Sequence, residues 1–216
     1  MNSGVNLRRA AATPVCSSFS PNDAPDGCSS ARELVLNPNL GATSEPGEPN
    51  HAGVSGGKSI WWSWSTAIPG GVTMTTIGSD FDSVLAVYTG DSVSNLTAVA
   101  SNDDDPYLPP GTRTSRVIFN ASAGIAYQIA VDGYQGASGN AVLNITRPIL
   151  NIARSATNEL ISWPTTELGF NLQSAANLGQ PNSWTIVTNS PAVTNNYFQV
   201  LNTNSGAQRF YRLKVP

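Results

Sequence analysis

Apolar and polar positions alternate with a period of two through most of this chain, and that period belongs to β-strands rather than helices. In Lys58–Ser65 (KSIWWSWS), Ile60, Trp62 and Trp64 share one face and Trp61 stands opposite. Tyr127–Gly133 (YQIAVDG) places Tyr127, Ile129 and Val131 inward, with Gln128, Ala130 and Asp132 outward, and NAVLNIT gives Ala141, Leu143 and Ile145 an apolar side. Two short apolar runs, Val84–Tyr88 and Leu96–Ala100, flank a Gly-Asp turn and predict a central hairpin. VTMTTI after the Pro69-Gly70-Gly71 turn and SRVIFN, with Val117 and Phe119 on one face, add two more strands. A helical pattern occurs only around ARELVL, where Ser29 or Ser30 could cap a short helix carrying Leu34 and Leu36. Many strands with turns between them predict an antiparallel sandwich or jelly roll.

At Arg147-Pro148 the texture changes, because proline cannot donate to a strand ladder. A second set of strands follows: Ile149–Ala153, Leu160–Trp163, Gly169–Ala175, Ser183–Val187, Tyr197–Asn202 and Arg209–Val215. With Trp163 borne on a strand and Trp184 near another, this part suits a small immunoglobulin-like or fibronectin-like sandwich. The expected class is therefore all-β, with two unlike β-sandwich domains in series. Residues 1–20 form an N-terminal arm, 21–147 a jelly-roll-like sandwich and 148–216 the smaller one.

Only 12% of the residues are charged, against about 25% in an ordinary globular domain. A surface kept wet by hydroxyls and amides suits an extracellular or cell-surface location. The net charge of -3 and the lack of a basic stripe with interleaved aromatics argue against nucleic acid. No apolar run reaches the ~18 residues of a membrane-spanning helix, so membrane insertion is not expected. The first residues hold Arg8 and Arg9 without a following apolar core and do not read as a secretory signal. Cys16 and Cys28 flank a turn-rich stretch that a disulfide would pin; two unpaired thiols are the alternative.

The sharpest chemical signal is acidic. A hairpin returns the chain to its starting end, so Asp80 and Asp82 before it can meet Asn102, Asp103, Asp104 and Asp105 after it. Calcium takes six to eight hard oxygens and is well served by such loops. A second set of oxygen donors comprises Asn22, Asp23 and Asp26 with Glu45 and Glu48. Against a metal, aspartates also make Asx-turns, and Arg113 and Arg116 could neutralise the central group. The long Asn37–Gly57 loop, rich in Pro, Gly and Asn, is either functional or held by something specific. Catalysis is not expected: the single histidine, His51, lies in that loop and no G-x-S-x-G elbow accompanies it. Trp61, Tyr107, Tyr134 and Trp184 are candidates for an aromatic face that would bind sugar or peptide.

Six motifs in order carry a resemblance: Pro21–Asp23 (PND), Gly41–Gly53 (GATSEPGEPNHAG), KSIWWSWS, SDFDSVLAVYTG, ASNDD and YQIAVDGY. Together they resemble the bacterial pre-peptidase C-terminal domain family over about residues 21–146. The resemblance implies a jelly-roll-type sandwich carried as an accessory module on exported enzymes and surface proteins, with calcium and collagen bound by collagenase members. An insertion and Cys28 after Pro21–Asp23 depart from the family's pattern at its N-terminal metal ligands. The tail, with ISWPTTELGFNLQSAANL, SW and RFYRLKV, is similar to short fibronectin-like or immunoglobulin-like domains of bacterial surface proteins. The function expected is adhesion, attachment or surface structure without catalysis, toward a protein or polysaccharide surface. Two alternatives stand beside it: a carbohydrate- or protein-binding accessory module of a secreted hydrolase, and a fibre subunit joined to copies of itself by strand addition of Val5–Val15.

Overall fold

The computed structural model describes residues 35–155, 157–179, 183–203 and 208–216. The arm, the Cys16–Cys28 pair, Asn22, Asp23 and Asp26 lie outside the described residues. The chain divides into two compact units, one holding Thr73–Thr146 with the described residues up to Pro69, the other Gly70–Val72 with Arg147–Pro216. Both are antiparallel β-structures, and three one-turn 3₁₀ segments are the only helical elements among the described residues.

The first unit contains β1 (Val35–Pro38), β2 (Ile60–Trp64), the Thr73–Thr75 end of β3 (Gly70–Thr75), β4 (Ser83–Thr89), β5 (Thr97–Asn102), β6 (Arg116–Ala121), β7 (Tyr127–Gly133) and β8 (Asn140–Thr146). They form two four-stranded sheets ordered β1-β8-β3-β6 and β2-β7-β4-β5. One correction concerns the expected helix: Val35 and Leu36 lie in β1, paired antiparallel with Leu143 and Val142. The edge of β8 offers backbone partners that one helical turn cannot match, and β1 ends at Pro38, which has no N–H to continue a ladder. Trp62, Leu85, Val87, Ile129 and Val131 of one sheet and Met74, Val117, Phe119 and Leu143 of the other are all at most 5% exposed. Burial of each such aliphatic side chain contributes about 1.5–3 kcal/mol, and Phe119 meets Tyr127 with ring centroids 5.1 Å apart.

A second correction concerns the far face of the β2-β7-β4-β5 sheet, which the alternation assigns to solvent. Ala130 and Asp132 are buried, and Trp61, Ala86, Tyr88 and Ala130 form a further apolar cluster with Leu96 against it. The cover is the long loop between β1 and β2. Asn39 anchors its start, accepting from the Gly139 amide at 2.8 Å and donating to the Lys58 carbonyl at 3.1 Å. Asp132 anchors its end by accepting from the amides of Gly57, Lys58 and Gly133.

The second unit contains β9 (Asn151–Arg154), β10 (Asn158–Pro164), β11 (Asn171–Ala175), β12 (Thr185–Ile186), β13 (Ala192–Thr194), β14 (Tyr197–Thr203) and β15 (Phe210–Lys214). Its sheets are ordered β13-β14-β10-β9 and β12-β11-β15. The four-stranded order is that of the ABED sheet of immunoglobulin-type sandwiches. Ile161, Trp163, Leu172 and Val200 make its core, with Phe198, Tyr211 and Leu213 packed on them. The pattern of apolar residues misses β13, which is short and whose three residues are all exposed. It is set by a two-residue turn at Asn195 and Asn196, both left-handed (φ 51° and 64°), a geometry that asparagine tolerates and that matches strand twist.

Candidate functional site

Hairpin register brings the acidic residues together, as their spacing predicts, but divides them. β4 pairs with β5 through Leu85 opposite Asn102, so Asp82 just before β4 approaches the residues just after β5. Asp82, Asp103 and Asp104 each offer a carboxylate oxygen within 4.8 Å of the others. Asn102 stays within β5, half-buried. Asp80 turns to Asn140, accepting from its amide at 2.6 Å and its side chain at 2.8 Å, bonds that hold the carboxyl below the usual range. Asp105 is enclosed with Arg116, Nε to Oδ2 at 2.8 Å, and its other oxygen accepts the Tyr107 amide in an Asx-turn. Of the two arginines, Arg116 thus neutralises Asp105, and Arg113 acts on Asp82.

The three remaining carboxylates repel one another. Burial first, then the charges of Asp104 and Asp82, push the Asp103 carboxyl above the usual range. Burial and Asp104 do the same to Asp82, partly offset by Arg113. One oxygen of Asp103, Oδ1, is shielded from solvent and has no hydrogen-bond donor. An anionic oxygen enclosed in that way is costly unless a cation or proton reaches it.

Hydroxyl groups that the alternation pattern does not single out fix this geometry. Thr76, Ser83 and Ser115 are fully buried. Ser83 Oγ and Thr76 Oγ1 lie 2.7 Å apart, the Ser115 amide donates to Thr76 Oγ1, and Ser115 Oγ lies 2.6 Å from the Ser83 carbonyl and 2.5 Å from that of Asp103. Their signal in the sequence is slight: small hydroxyl residues at strand entries, where either core or loop could claim them.

Of the second predicted oxygen set, Glu48 has another role. The Glu48 side chain is 4% exposed and is spent within the protein. Its Oε1 faces His51 Nε2 at 2.9 Å and accepts from Trp61 Nε1 at 3.2 Å, while Oε2 accepts the Glu45 amide at 2.6 Å. His51, 1% exposed, meets the Tyr88 hydroxyl through Nδ1 at 2.8 Å. A neutral ring protonated on Nε2 satisfies every one of these partners. Burial and the charge of Glu48 raise the Tyr88 phenol to about 12, so it keeps the proton it donates. This carboxylate–imidazole–phenol chain fastens the long loop onto the sheet, and each of its three side chains is buried. Trp61 belongs to the same packed cluster and is not part of an exposed aromatic face. Tyr107 and Tyr134 are substantially exposed, at 44% and 37%. In the second unit, Trp184 lies under the Arg212 guanidinium, 4.1 Å from its ring centroid. No family model matches the chain, and no curated protein matches it at a significant level.

Proposed function

We propose that this chain is a non-catalytic attachment module of the cell exterior, its first sandwich stabilised by a calcium ion at Asp82, Asp103 and Asp104. The observation that carries the reading is the convergence of these three carboxylates with an enclosed, partnerless Asp103 oxygen. A hard cation would relieve their repulsion, and calcium tolerates an irregular set of oxygens completed by water better than magnesium does. Two sandwich units in series, a hydroxyl- and amide-rich composition and the motifs resembling the pre-peptidase C-terminal family support the attachment role. His51 also fits it, since its ring is consumed in holding a loop.

Calcium should raise the melting temperature and chelator should lower it. Binding to the folded state alone adds about 2.7 kcal/mol at a hundredfold excess over the dissociation constant, or roughly 5–10 °C for a chain of this size. Asp103→Asn should abolish the calcium shift and, in chelator at neutral pH, melt higher than the unsubstituted protein. The sign follows from the raised carboxyls of Asp82 and Asp103. Above their folded pKa values they destabilise the fold, and stability returns as pH falls through those values. A melting curve indifferent to calcium and chelator would remove the ion from the reading. Attachment itself is tested by co-sedimentation with insoluble polysaccharides, collagen and cell envelopes; recovery in none of the pellets counts against it.

A further inference from the structure

We propose that the outward face of the β12-β11-β15 sheet binds a carboxylate-bearing polysaccharide. The inference rests on the attachment reading and gives that attachment a ligand class. Register places Gln173 opposite Arg212 and Asn171 opposite Lys214, while the alternate residues Leu172, Tyr211 and Leu213 pack into the core. Asn171, Gln173, Arg212 and Lys214 therefore stand together on the other face. Ile186, opposite Gln173, extends that face and is 57% exposed. Trp184 lies beneath Arg212, whose Nε also donates to Gln173 Oε1 at 2.9 Å, so the guanidinium is oriented before any ligand arrives.

Charge selects the partner. The carboxylate side chains of this unit, Glu159 and Glu167, are buried at 4% and 8% exposure. Glu159 is already committed to Arg154 and to the Tyr211 hydroxyl. No described carboxylate side chain of the unit is left on its surface to offset Arg212 and the exposed Lys214. A sheet face with two cations and two amides offers an acidic sugar chain what its groups require. Guanidinium and ammonium take carboxylates, and amides take hydroxyls.

The test is electrophoresis of the full chain through native gels containing polygalacturonate, neutral dextran or dextran sulfate. Polygalacturonate should retard the protein, dextran should not, and added salt should weaken the effect by screening. Arg212→Gln with Lys214→Gln should weaken retardation about tenfold, the equivalent of one strong contact. Lys214→Glu alone, at an exposed position, should weaken it with the melting temperature unchanged. Equal retardation of the variants, or retardation by dextran sulfate alone, overturns the proposal. Co-sedimentation with other polymers that ignores both substitutions leaves the attachment reading standing and sinks this one.

Discussion

Asp132→Ala is expected to destabilise the protein by about 3 kcal/mol or more, a fall in melting temperature of roughly 10 °C. The carboxylate is 4% exposed and accepts the amides of Gly57, Lys58 and Gly133 at 2.7–3.2 Å. Removing it strands three donors at the point where the long loop rejoins β2, and each stranded donor carries its desolvation cost. Asp132→Asn keeps an accepting oxygen and should lie between the two. The close approach of Gly56 supplies an independent check. A Cβ built there would collide with the Asp132 carboxylate, so Gly56→Ala should also be damaging, but less so when Asp132 is already alanine. A melting temperature within about 2 °C of the unsubstituted protein for Asp132→Ala would mean that the loop is held elsewhere.

Glu48→Ala should cost a similar amount, about 3 kcal/mol, because it leaves His51 and the Glu45 amide without their acceptor and Trp61 Nε1 with Ser59 Oγ alone. The loss should depend on pH. Burial raises the Glu48 carboxyl, but hydrogen bonds from His51, Ser59 and the Glu45 amide outweigh it, leaving the folded pKa below the usual 4.5. A depressed carboxyl contributes stability that is present above the unfolded pKa and is lost as pH falls through the folded one. Urea unfolding of the protein and of Glu48→Gln should thus differ most near neutrality and converge in acid, below 4.5. A difference that stays constant through that range would mean the Glu48 charge is not what the loop depends on. Tyr88→Phe, which removes one hydroxyl from the same chain, should cost only about 1 kcal/mol.

Sequence alternation was enough to read most strands of both sandwiches, though not β1 or β13, because a side chain that alternates between core and solvent leaves its period in the residues themselves. KSIWWSWS and YQIAVDG became β2 and β7 within two residues of their predicted bounds. The meeting of Asp82 with Asp103 and Asp104 was legible for a similar reason: a hairpin closes on itself, and its register follows from its two apolar runs. What alternation could not supply was anything decided by a third layer or by competition between partners. Ala130 and Asp132 read as outward-facing, and they are, but a loop about seventy residues earlier covers them; period two reports which face a residue occupies and not what lies over it. Likewise six oxygen donors of similar chemistry are indistinguishable in a string of letters. Only the fold shows that Asn140 takes Asp80 and Arg116 takes Asp105, leaving three carboxylates to repel one another around an enclosed oxygen. Those partners lie 60 and 11 residues away, and proximity over such separations is fixed by strand order in the sheets, to which local pattern is blind.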